Sequence, residues 1–331
     1  MKKENISLKD LSADFGYFHV KIDRPYLKKL LIRASNGENP HYCKELMDQL
    51  SMSFTKNKKS CLTIYGWTAY DKTIPLNKLS KIVEIAKVDW KEVESNIISI
   101  KAGQHGGEIS PIFPIILDRN MGSIIGHVLG DGSIDSKYHQ LFFSNSDKAL
   151  LMEFAKNMNH IFRVKPRVWM QKTPDFGNTQ WDKKIDNIDE LKEGRNAGLF
   201  YPTICGRILN SIFNNFAVGK NKRITEEIIN SKAEFKSALI RAFFDDEATV
   251  DKQRRYIRVF QDRPDILEIF RVFLLEFNIQ AQPLKYYVKR EKKRYYFDIY
   301  KSKSNLLKFE QEIGFTSPVK AMKLRTIIHQ V

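Results

Sequence analysis

Two stretches of the chain end an apolar run in acidic residues, and these acids offer the clearest chemistry in the sequence. Residues 124–132 read Ile-Ile-Gly-His-Val-Leu-Gly-Asp-Gly, and residues 240–248 read Ile-Arg-Ala-Phe-Phe-Asp-Asp-Glu-Ala. Each stretch is followed by a β-branched segment and then by an amphipathic helical pattern. Because this order occurs twice, the sequence predicts two similar halves that share a two-carboxylate site on a pseudo-twofold axis.

The helix that carries the first stretch has the features of a close helix–helix contact. Gly126 and Gly130 are four residues apart, so they share one helical face, and small residues there let a second helix approach. Ala242 has the corresponding place in the second stretch. We therefore predict that the two helices touch. His127 lies in the first helix, and a lone histidine on an apolar helix is more often packed and hydrogen-bonded than a metal ligand.

The charge of the chain predicts a polyanionic partner. Lysine and arginine number 55 against 39 aspartate and glutamate residues, which gives a net charge of +16 over 331 residues. A field of that size acts at long range on nucleic acid. A basic soluble protein without such a partner is the alternative. The length predicts two or three structural units.

Other patterns limit the class of protein. The chain has no run of about 18 apolar residues that could span a membrane, and its N-terminus lacks a hydrophobic signal segment. Cys43, Cys61 and Cys205 fit neither a zinc pair nor a disulfide framework, so we expect a reducing cytoplasm. The chain begins at Met1 and lacks a splicing Cys at its start and His-Asn at its end. We therefore expect a free-standing protein rather than one embedded in an intein.

Residues 1–105 are predicted to form a small all-α domain of the helix-turn-helix type. The predicted helices cover residues 25–33, 41–50, 53–62, 76–86 and 90–98. Their order resembles the phage-repressor helix-turn-helix, in which a Pro-led fourth helix follows the recognition helix. Lys56, Lys58 and Lys59 would then face DNA. The alternative is a solvated basic face on a helical bundle.

A glycine- and proline-rich segment marks the predicted domain boundary. It contains Gly103, Gly106, Gly107, Pro111 and Pro114. We place a linker at residues 106–118, the first half at 119–232 and the second half at 233–331. Each half is predicted to run helix, strands, helix, strands and helices, which is an α+β unit repeated once.

The two acidic stretches resemble the motifs of the LAGLIDADG homing endonuclease family, in its single-chain, two-motif form. Residues 124–132 match at the apolar positions, the glycines and Gly-Asp-Gly, and residues 240–248 match at the apolar positions and at Asp245 and Glu247. Four positions depart from the motif. Leu129 replaces the first acid and Glu247 replaces Asp. Ala248 replaces Gly, and Asp246 stands where a small residue commonly packs.

The resemblance implies a fold and a metal. The two motif helices pair at the centre, and two antiparallel saddle-shaped sheets straddle DNA. Asp131 and Glu247 would hold Mg²⁺ (or Mn²⁺), which stabilises the oxyanion of a phosphate and lowers the pKa of bound water. The alternative is that Asp131 is only a turn residue and Glu247 a solvated acid.

The resemblance also implies basic residues near the metal and on the sheets. Lys320, which follows Gly-Phe-Thr-Ser-Pro-Val, and Lys222 or Lys220 in the first half are the candidates for catalysis. Each of these lysines could instead be an ordinary surface residue. Basic residues on the strands would form a groove of duplex width, and the candidates are Arg258, Lys289, Arg290 and Arg294.

These patterns predict a site-specific double-strand DNA endonuclease of the homing type, which hydrolyses phosphodiesters at a long recognition site. We expect a monomer that acts on double-stranded DNA, without a membrane or small-molecule substrate. The alternatives are a DNA-binding transcriptional regulator built on an adapted LAGLIDADG fold and an RNA-splicing maturase. Retention of both metal acids favours the enzyme.

Overall fold

The computed structural model describes residues 4–14, 18–53, 61–70, 72–103, 106–171, 181–219, 221–289 and 291–330. Its helices are α1 (Arg24–Ala34), α2 (Lys44–Gln49), α3 (Leu62–Ala69), α4 (Leu76–Ala86), α5 (Trp90–Glu94), α6 (Arg119–Leu129), α7 (Lys148–Phe162), α8 (Thr203–Ile212), α9 (Glu226–Ile229), α10 (Ala233–Glu247), α11 (Pro264–Glu276), α12 (Lys303–Glu312) and α13 (Pro318–Gln330). Short 3₁₀ helices cover Leu8–Asp14 and Ile188–Glu190.

The strands before the first acidic stretch are β1 (Asn5–Ile6), β2 (Phe18–Ile22), β3 (Ile74–Pro75), β4 (Ile97–Ala102), β5 (Glu108–Ile109) and β6 (Ile115–Ile116). Those of the first half are β7 (Gly132–Ile134), β8 (Leu141–Asn145), β9 (Arg167–Gln171), β10 (Trp181–Ile185), β11 (Ala197–Phe200), β12 (Ala217–Val218) and β13 (Asn221–Lys222). Those of the second half are β14 (Ala248–Asp251), β15 (Tyr256–Gln261), β16 (Lys285–Lys289) and β17 (Lys292–Asp298).

The two motif helices, α6 and α10, each lead directly into an antiparallel sheet. The sheet of the first half has the order β10-β9-β11-β8-β7, and that of the second half has the order β14-β15-β17-β16. In the first, Gly132 pairs with Phe143, and in the second, Ala248 pairs with Val259. The predicted repeat of an α+β unit is therefore confirmed, and the two halves have the same register next to their motif helices.

The acids of the second stretch belong to its helix, because α10 runs from Ala233 through Asp245 and Asp246 to Glu247. A helix propagates through acids when one face remains buried, and Phe243 and Phe244 are fully buried. The acids therefore lie on the last helical turn, and β14 begins at the next residue.

The N-terminal region is not all-α, and that prediction is wrong. A four-stranded antiparallel sheet of order β3-β2-β4-β5 packs with its helices. Side chains in β2 alternate between buried and half-buried, which is the two-residue period of a strand. The helix predicted at 90–98 ends at Glu94, since residues from Ile97 onward belong to β4. Most of the helix predicted at 53–62, with Lys56, Lys58 and Lys59, lies outside the described residues.

The segment predicted to be a linker contributes to two sheets. Within residues 106–118, β5 pairs with β4, and β6 pairs with β1 near the start of the chain. Lys232 Nζ also lies 2.8 Å from Glu4 Oε2. Buried apolar side chains form a continuous core from Ile6 to Ile328. The domain boundaries at this segment stay a prediction.

Two further predictions from composition can be compared with the structure. Cys43, Cys61 and Cys205 are buried free thiols. Among the described residues, every helix is too short or too polar to cross a membrane.

Candidate active site

Glycines on one face of α6 set the distance between the motif helices. A Cβ atom placed on Gly126 would lie 2.4 Å from the carbonyl oxygen of Leu239 and 2.8 Å from Cβ of Ala242. A Cβ on Gly122 would lie 2.2 Å from the carbonyl oxygen of Phe235. Real Cβ atoms do not approach backbone so closely, so only glycine permits this contact at either position. The spacing of four residues placed Gly126 on this face, and Gly122 extends it by one turn.

The C-terminal ends of the two helices present Asp131 and Glu247, each beside a side-chain amide of its own half. Asn145 Nδ2 donates to Asp131 Oδ2 at 3.0 Å, and Gln261 Nε2 donates to Glu247 Oε1 at 3.3 Å. Asn145 ends β8 and Gln261 ends β15, and each amide follows its acid by 14 residues. The shorter acid therefore pairs with the shorter amide and the longer acid with the longer amide.

A lysine lies against the end of each motif helix. Lys222 Nζ donates to the carbonyl oxygen of Leu129 at 3.1 Å and also to that of Gly130. Lys320 Nζ donates to the carbonyl oxygen of Phe244 at 3.2 Å and also to that of Asp245. Cations are favoured at helix C-termini, where the backbone carbonyls lack partners. Both candidate lysines are thus held near the acids, one in each half.

Burial and like charge perturb the ionisation of these groups. Burial, followed by repulsion from Asp246, raises the pKa of Asp131 to about 7, and Lys222 and Lys320 oppose the shift. Burial, followed by repulsion from Asp131 and Asp246, raises the pKa of Glu247 to about 7. Burial lowers the pKa of both lysines, against the attraction of the acids. Acids whose ionised forms are this costly would gain from a bound cation.

A third carboxylate, Asp246, lies between the helices and bonds to the first half. Its side chain is fully buried, and its Oδ2 lies 3.0 Å from His127 Nδ1. The same Oδ2 accepts from the backbone N–H of Asp131 at 3.3 Å, and Oδ1 accepts from Asn145 Nδ2 at 3.3 Å. A Cβ on Gly130 would lie 2.5 Å from Asp246 Oδ2, so the first helix needs glycine there.

His127 is a packed, hydrogen-bonded side chain between two acids. Its Nε2 lies 3.8 Å from Glu153 Oε2, and its ring centroid lies 4.6 Å from that of Phe143. Burial alone would lower the pKa of His127, but Asp246 and Glu153 together raise it to about 10. The imidazolium form is therefore stabilised at neutral pH, and it offsets part of the negative charge that Asp246 brings into the interface.

Asp245 has a different partner from the other acids of its helix. Its two oxygens accept the backbone N–H groups of Thr316 at 2.8 Å and Ser317 at 3.1 Å. Ser317 Oγ in turn donates to Asp147 Oδ2 of the first half at 2.6 Å. Asp245 thus fixes the segment that precedes α13 and positions Lys320. Leu129, which replaces this acid in the first motif, is fully buried instead.

The donor set fits a magnesium ion whose remaining ligands come from water and substrate. Within the described ranges, no three His, Cys, Asp or Glu side chains converge as a ready-made metal cage. Mg²⁺ is commonly bound through one or two carboxylates, several waters and substrate phosphates rather than by an all-protein cage. Asp131 and Glu247, with raised pKa values and oriented by Asn145 and Gln261, are suited to that mode.

The candidate DNA-contacting residues on the second sheet already have intramolecular partners. Arg258 forms a two-point ion pair with Asp298, with N–O distances of 2.7 and 2.9 Å, and its guanidinium lies 4.3 Å from the ring centroid of Tyr296. Arg294 Nε lies 3.2 Å from Asp262 Oδ1 and remains 40% exposed. The Lys289 side chain, Arg290 and Lys220 lie outside the described residues. Arg294 is therefore the more available of the two described arginines.

Sequence reasoning missed several members of the site. Asn145, Gln261 and Glu153 were not singled out, and the partners of Asp246 and His127 were not foreseen. One sequence signal could have identified Asn145 and Gln261, because each amide stands 14 residues after one of the two acids. The contacts of Asp246 join residues more than a hundred positions apart, and no local pattern reports them.

A family model and two larger proteins of one organism resemble this chain in sequence. Residues 234–314 match the family model of the LAGLIDADG-like domain. The chain is 27% identical over 208 residues to the replication factor C small subunit of Methanocaldococcus jannaschii, which is 62% of this chain and 10% of that protein. It is 26% identical over 258 residues to the DNA-directed RNA polymerase subunit Rpo1C of the same organism, which is 78% of this chain and 26% of that protein. The chain thus spans between a tenth and about a quarter of these relatives.

Two kinds of solved structure match part of the chain. A mesophilic variant of the homing endonuclease I-DmoI matches with a TM-score of 0.41 and 15% identity, over 63% of this chain and 98% of that one. Full-length DUF199/WhiA from Thermatoga maritima matches with a TM-score of 0.40 and 15% identity, over 65% of this chain and 61% of that one. The match to the family model confirms the predicted resemblance to the LAGLIDADG family for residues 234–314.

Proposed function

We propose that this chain, whose residues 234–314 form a LAGLIDADG-like domain, is a divalent-metal-dependent endonuclease that cuts double-stranded DNA at a specific site. The observation that carries the proposal is the pair of corresponding half-sites at the ends of α6 and α10. Each contains an acid, an amide 14 residues later and a lysine on the helix end. Two such sets suit the hydrolysis of two strands by one monomer.

In this proposal the acid, the amide and the lysine of each half-site have different roles. Asp131 and Glu247 would hold the metal, which neutralises charge on the scissile phosphate and lowers the pKa of attacking water. Asn145 and Gln261 orient the acids, since each donates a hydrogen bond to its carboxylate. Lys222 and Lys320 add positive charge where the phosphate gains negative charge. In the hydrolysis, the water oxygen bonds to phosphorus as one phosphoester bond breaks, and a proton passes to the leaving oxygen.

The charge of the molecule supports DNA as the substrate. The net charge is +16, and Arg258 and Arg294 lie on the second sheet. The Arg258 guanidinium lies beside the rings of Tyr256 and Tyr296. Arg294 is close enough to Glu247 that its charge lowers the pKa of that acid, against the larger effect of burial. A duplex lying along this sheet would therefore reach the proposed metal site.

A DNA-binding regulator is the second candidate, and Asp246 is the observation in its favour. This third carboxylate already accepts the Asp131 backbone N–H and the Asn145 amide, so two donors of the first half-site have partners within the protein. A protein that only binds DNA could use the same fold without a metal. The presence of cleavage distinguishes the two functions.

The test begins with a random duplex library from which cleaved sites are selected in magnesium. Asp131→Asn and Glu247→Gln remove one charge each with little change in shape. We expect either change to abolish cleavage of the selected target, or nearly so. Binding in calcium should stay intact or become slightly tighter, because a negative group near phosphate is lost.

Glu226→Gln, which changes an exposed acid in α9, is the matched control and should cleave at the wild-type rate. Full-speed cleavage by both active-site variants would refute the proposed chemistry. Tight sequence-specific binding by a wild-type protein that cuts no DNA would favour the regulator.

A further inference from the structure

Three aromatic side chains form a cluster on the more open face of the second sheet. Phe260 of β15, Tyr296 of β17 and Tyr287 of β16 come from three adjacent strands. Their ring centroids lie 5.9 to 6.3 Å apart in all three pairs. Val259 and Phe297, which point to the opposite face, are fully buried, whereas Tyr287 is 37% exposed. The cluster is thus an apolar surface on the outer side of the sheet.

The arginine beside the cluster is already held by the protein. Arg258 lies on the same face as Phe260, and its guanidinium lies 4.3 Å from the Tyr296 ring centroid. It donates to both oxygens of Asp298, at 2.7 and 2.9 Å. An arginine reads guanine through a two-point contact of this kind, and here Asp298 occupies it. The Asp298 side chain is only 10% exposed, so breaking the pair would leave a poorly solvated carboxylate.

The charged residues around the cluster favour DNA as the molecule that covers it. Arg294 faces Tyr287 across the strand pair, and both members of its ion pair with Asp262 are exposed. Exposed ion pairs contribute little to stability, so Arg294 can exchange this partner for a phosphate. Lys285 and Lys292 are exposed on the same face of the hairpin formed by β16 and β17. A two-stranded ribbon of this kind fits the major groove of B-form DNA.

We propose that the cluster of Phe260, Tyr287 and Tyr296 recognises the C5 methyl group of thymine in the part of the target that the second sheet binds. The inference rests on the proposed function, since it takes double-stranded DNA as the partner. In the major groove thymine presents a methyl group, which apolar side chains such as phenylalanine contact. The contact also selects DNA over RNA, because uracil lacks the methyl group and side chains do not reach into the major groove of an RNA duplex.

The test uses thymines that lack their methyl group. A target is first selected from a random duplex library by binding, with calcium in place of magnesium, and bound duplexes are recovered intact. Each thymine of the target is then replaced by deoxyuridine, which keeps the pairing edge and removes the C5 methyl. We expect wild type to bind about fourfold more weakly for each contacted methyl group that is lost, as for the burial of one methylene-sized group.

Two neighbouring tyrosines provide a matched pair of variants. Tyr286 and Tyr287 are both exposed, but successive residues of β16 face opposite sides of the sheet, and the Tyr286 ring lies 6.0 Å from that of Tyr295. Tyr287→Ala and Phe260→Ala should reduce or abolish the deoxyuridine penalty, whereas Tyr286→Ala should keep it at the wild-type value. Thermal melting shows whether each variant folds, and Tyr287→Ala alone decides the matter if Phe260→Ala does not fold.

A second substitution in the DNA separates the methyl group from the rest of the base. At a thymine that shows the deoxyuridine penalty, cytosine and 5-methylcytosine are compared, each paired with guanine. The duplex with 5-methylcytosine should bind wild type more tightly by a similar factor, because it returns a methyl group to the same place in the groove.

A selected target in which no thymine methyl contributes to affinity would overturn the inference. It would also be overturned by a deoxyuridine penalty that persists in Tyr287→Ala, or by one that Tyr286→Ala removes. Failure of wild type to cut the target in magnesium would refute the nuclease, whereas methyl-dependent binding in calcium would still support thymine recognition.

Discussion

At the scale of single residues, the acids of the candidate site are held with unusual proton affinity. Asp131 and Glu247 have pKa values raised to about 7, and that of Asp245 is raised to about 6, with burial as the largest cause in each. Asp131 reaches solvent, so water screens part of its interaction with Asp246. The energetic cost of ionising these groups must be met by neighbouring lysines or by a metal.

The stability of the metal-free protein should depend on pH. Asp131 and Glu247 bind protons more tightly in the folded than in the unfolded state, so metal-free protein should lose stability as pH rises from about 4 to 7. The pKa of His127 is raised to about 10, so the stability that its positive charge contributes falls as pH rises above about 6.5. All three effects have the same sign. The melting temperature in EDTA should therefore be higher near pH 5 than near pH 8.

Magnesium should reverse part of this trend, since it binds the ionised acids. We expect the rise in melting temperature on adding magnesium to be larger near pH 8 than near pH 5. The double variant Asp131→Asn/Glu247→Gln should show a flatter pH profile and little response to magnesium. A wild-type melting temperature that rises between these pH values would contradict the assigned ionisation.

The sequence could identify the site residues that the resemblance to the family motifs implied. Asp131, Glu247, Lys222 and Lys320 were foreseen, and the structure places them at the two helix ends. The hydrogen bonds of Asp246 could not be foreseen, since its partners come from α6 and β8 in the other half. A buried acid becomes interpretable only when its distant partners are known.

At the scale of elements, two helical glycines should respond differently to replacement by alanine. Helix propensity favours alanine at both positions, but packing opposes it at one of them. Gly126 lies inside α6 and Gly66 inside α3, and alanine is favoured over glycine at an open helix position by about 1 kcal/mol. A Cβ on Gly126 meets the Leu239 carbonyl at 2.4 Å. A Cβ on Gly66 meets only the flexible side chain of Lys72, at 3.1 Å.

We therefore predict that Gly126→Ala destabilises the protein by about 1–3 kcal/mol, because backbone must move to admit the methyl group. Gly66→Ala should leave stability unchanged or raise it by up to about 1 kcal/mol. Urea denaturation of both variants and wild type measures the difference. Equal stability changes of the two variants would argue against close contact of α6 and α10 at Gly126.

Elements with a strong repeated pattern were predictable, and the N-terminal sheet was not. The motif helices were evident because the same order of elements occurs twice. β2 has five residues and β3 has two, so their alternation is too short to outweigh the helical periodicity around them. β4 follows a helix after two residues, and we extended that helix into it.

At the scale of the molecule, the two half-sites are not equivalent. Asp246 of α10 reaches across the interface and bonds to His127, to the backbone N–H of Asp131 and to Asn145 in the first half. The corresponding positions are Gly130 in the first helix and Phe243 in the second. Phe243 is fully buried and stacks on Phe270. Asp246 thus holds the backbone of Asp131 in addition to the bond from Asn145 to its carboxylate, whereas the Glu247 carboxylate accepts from Gln261 of its own half.

We predict that the two DNA strands are cut at different rates, with a nicked intermediate. Single-turnover reactions on a duplex labelled differently at each strand will measure both rates. The double variant His127→Phe/Asp246→Gly makes the helices alike at these positions and should bring the rates closer together. Equal rates in wild type, or an unchanged ratio in the variant, would contradict a functional role for the asymmetry.

The closely packed face of α6 also has a consequence for how the chain folds during synthesis. Its residues from Met121 to Leu129 are all buried, yet the partner helix is translated more than a hundred residues later. Contacts so distant in sequence slow folding, because a long loop must close before they form. On the ribosome, the apolar face of α6 therefore stays uncovered until its partner helix has been synthesised. This is the stage at which a chaperone would matter most.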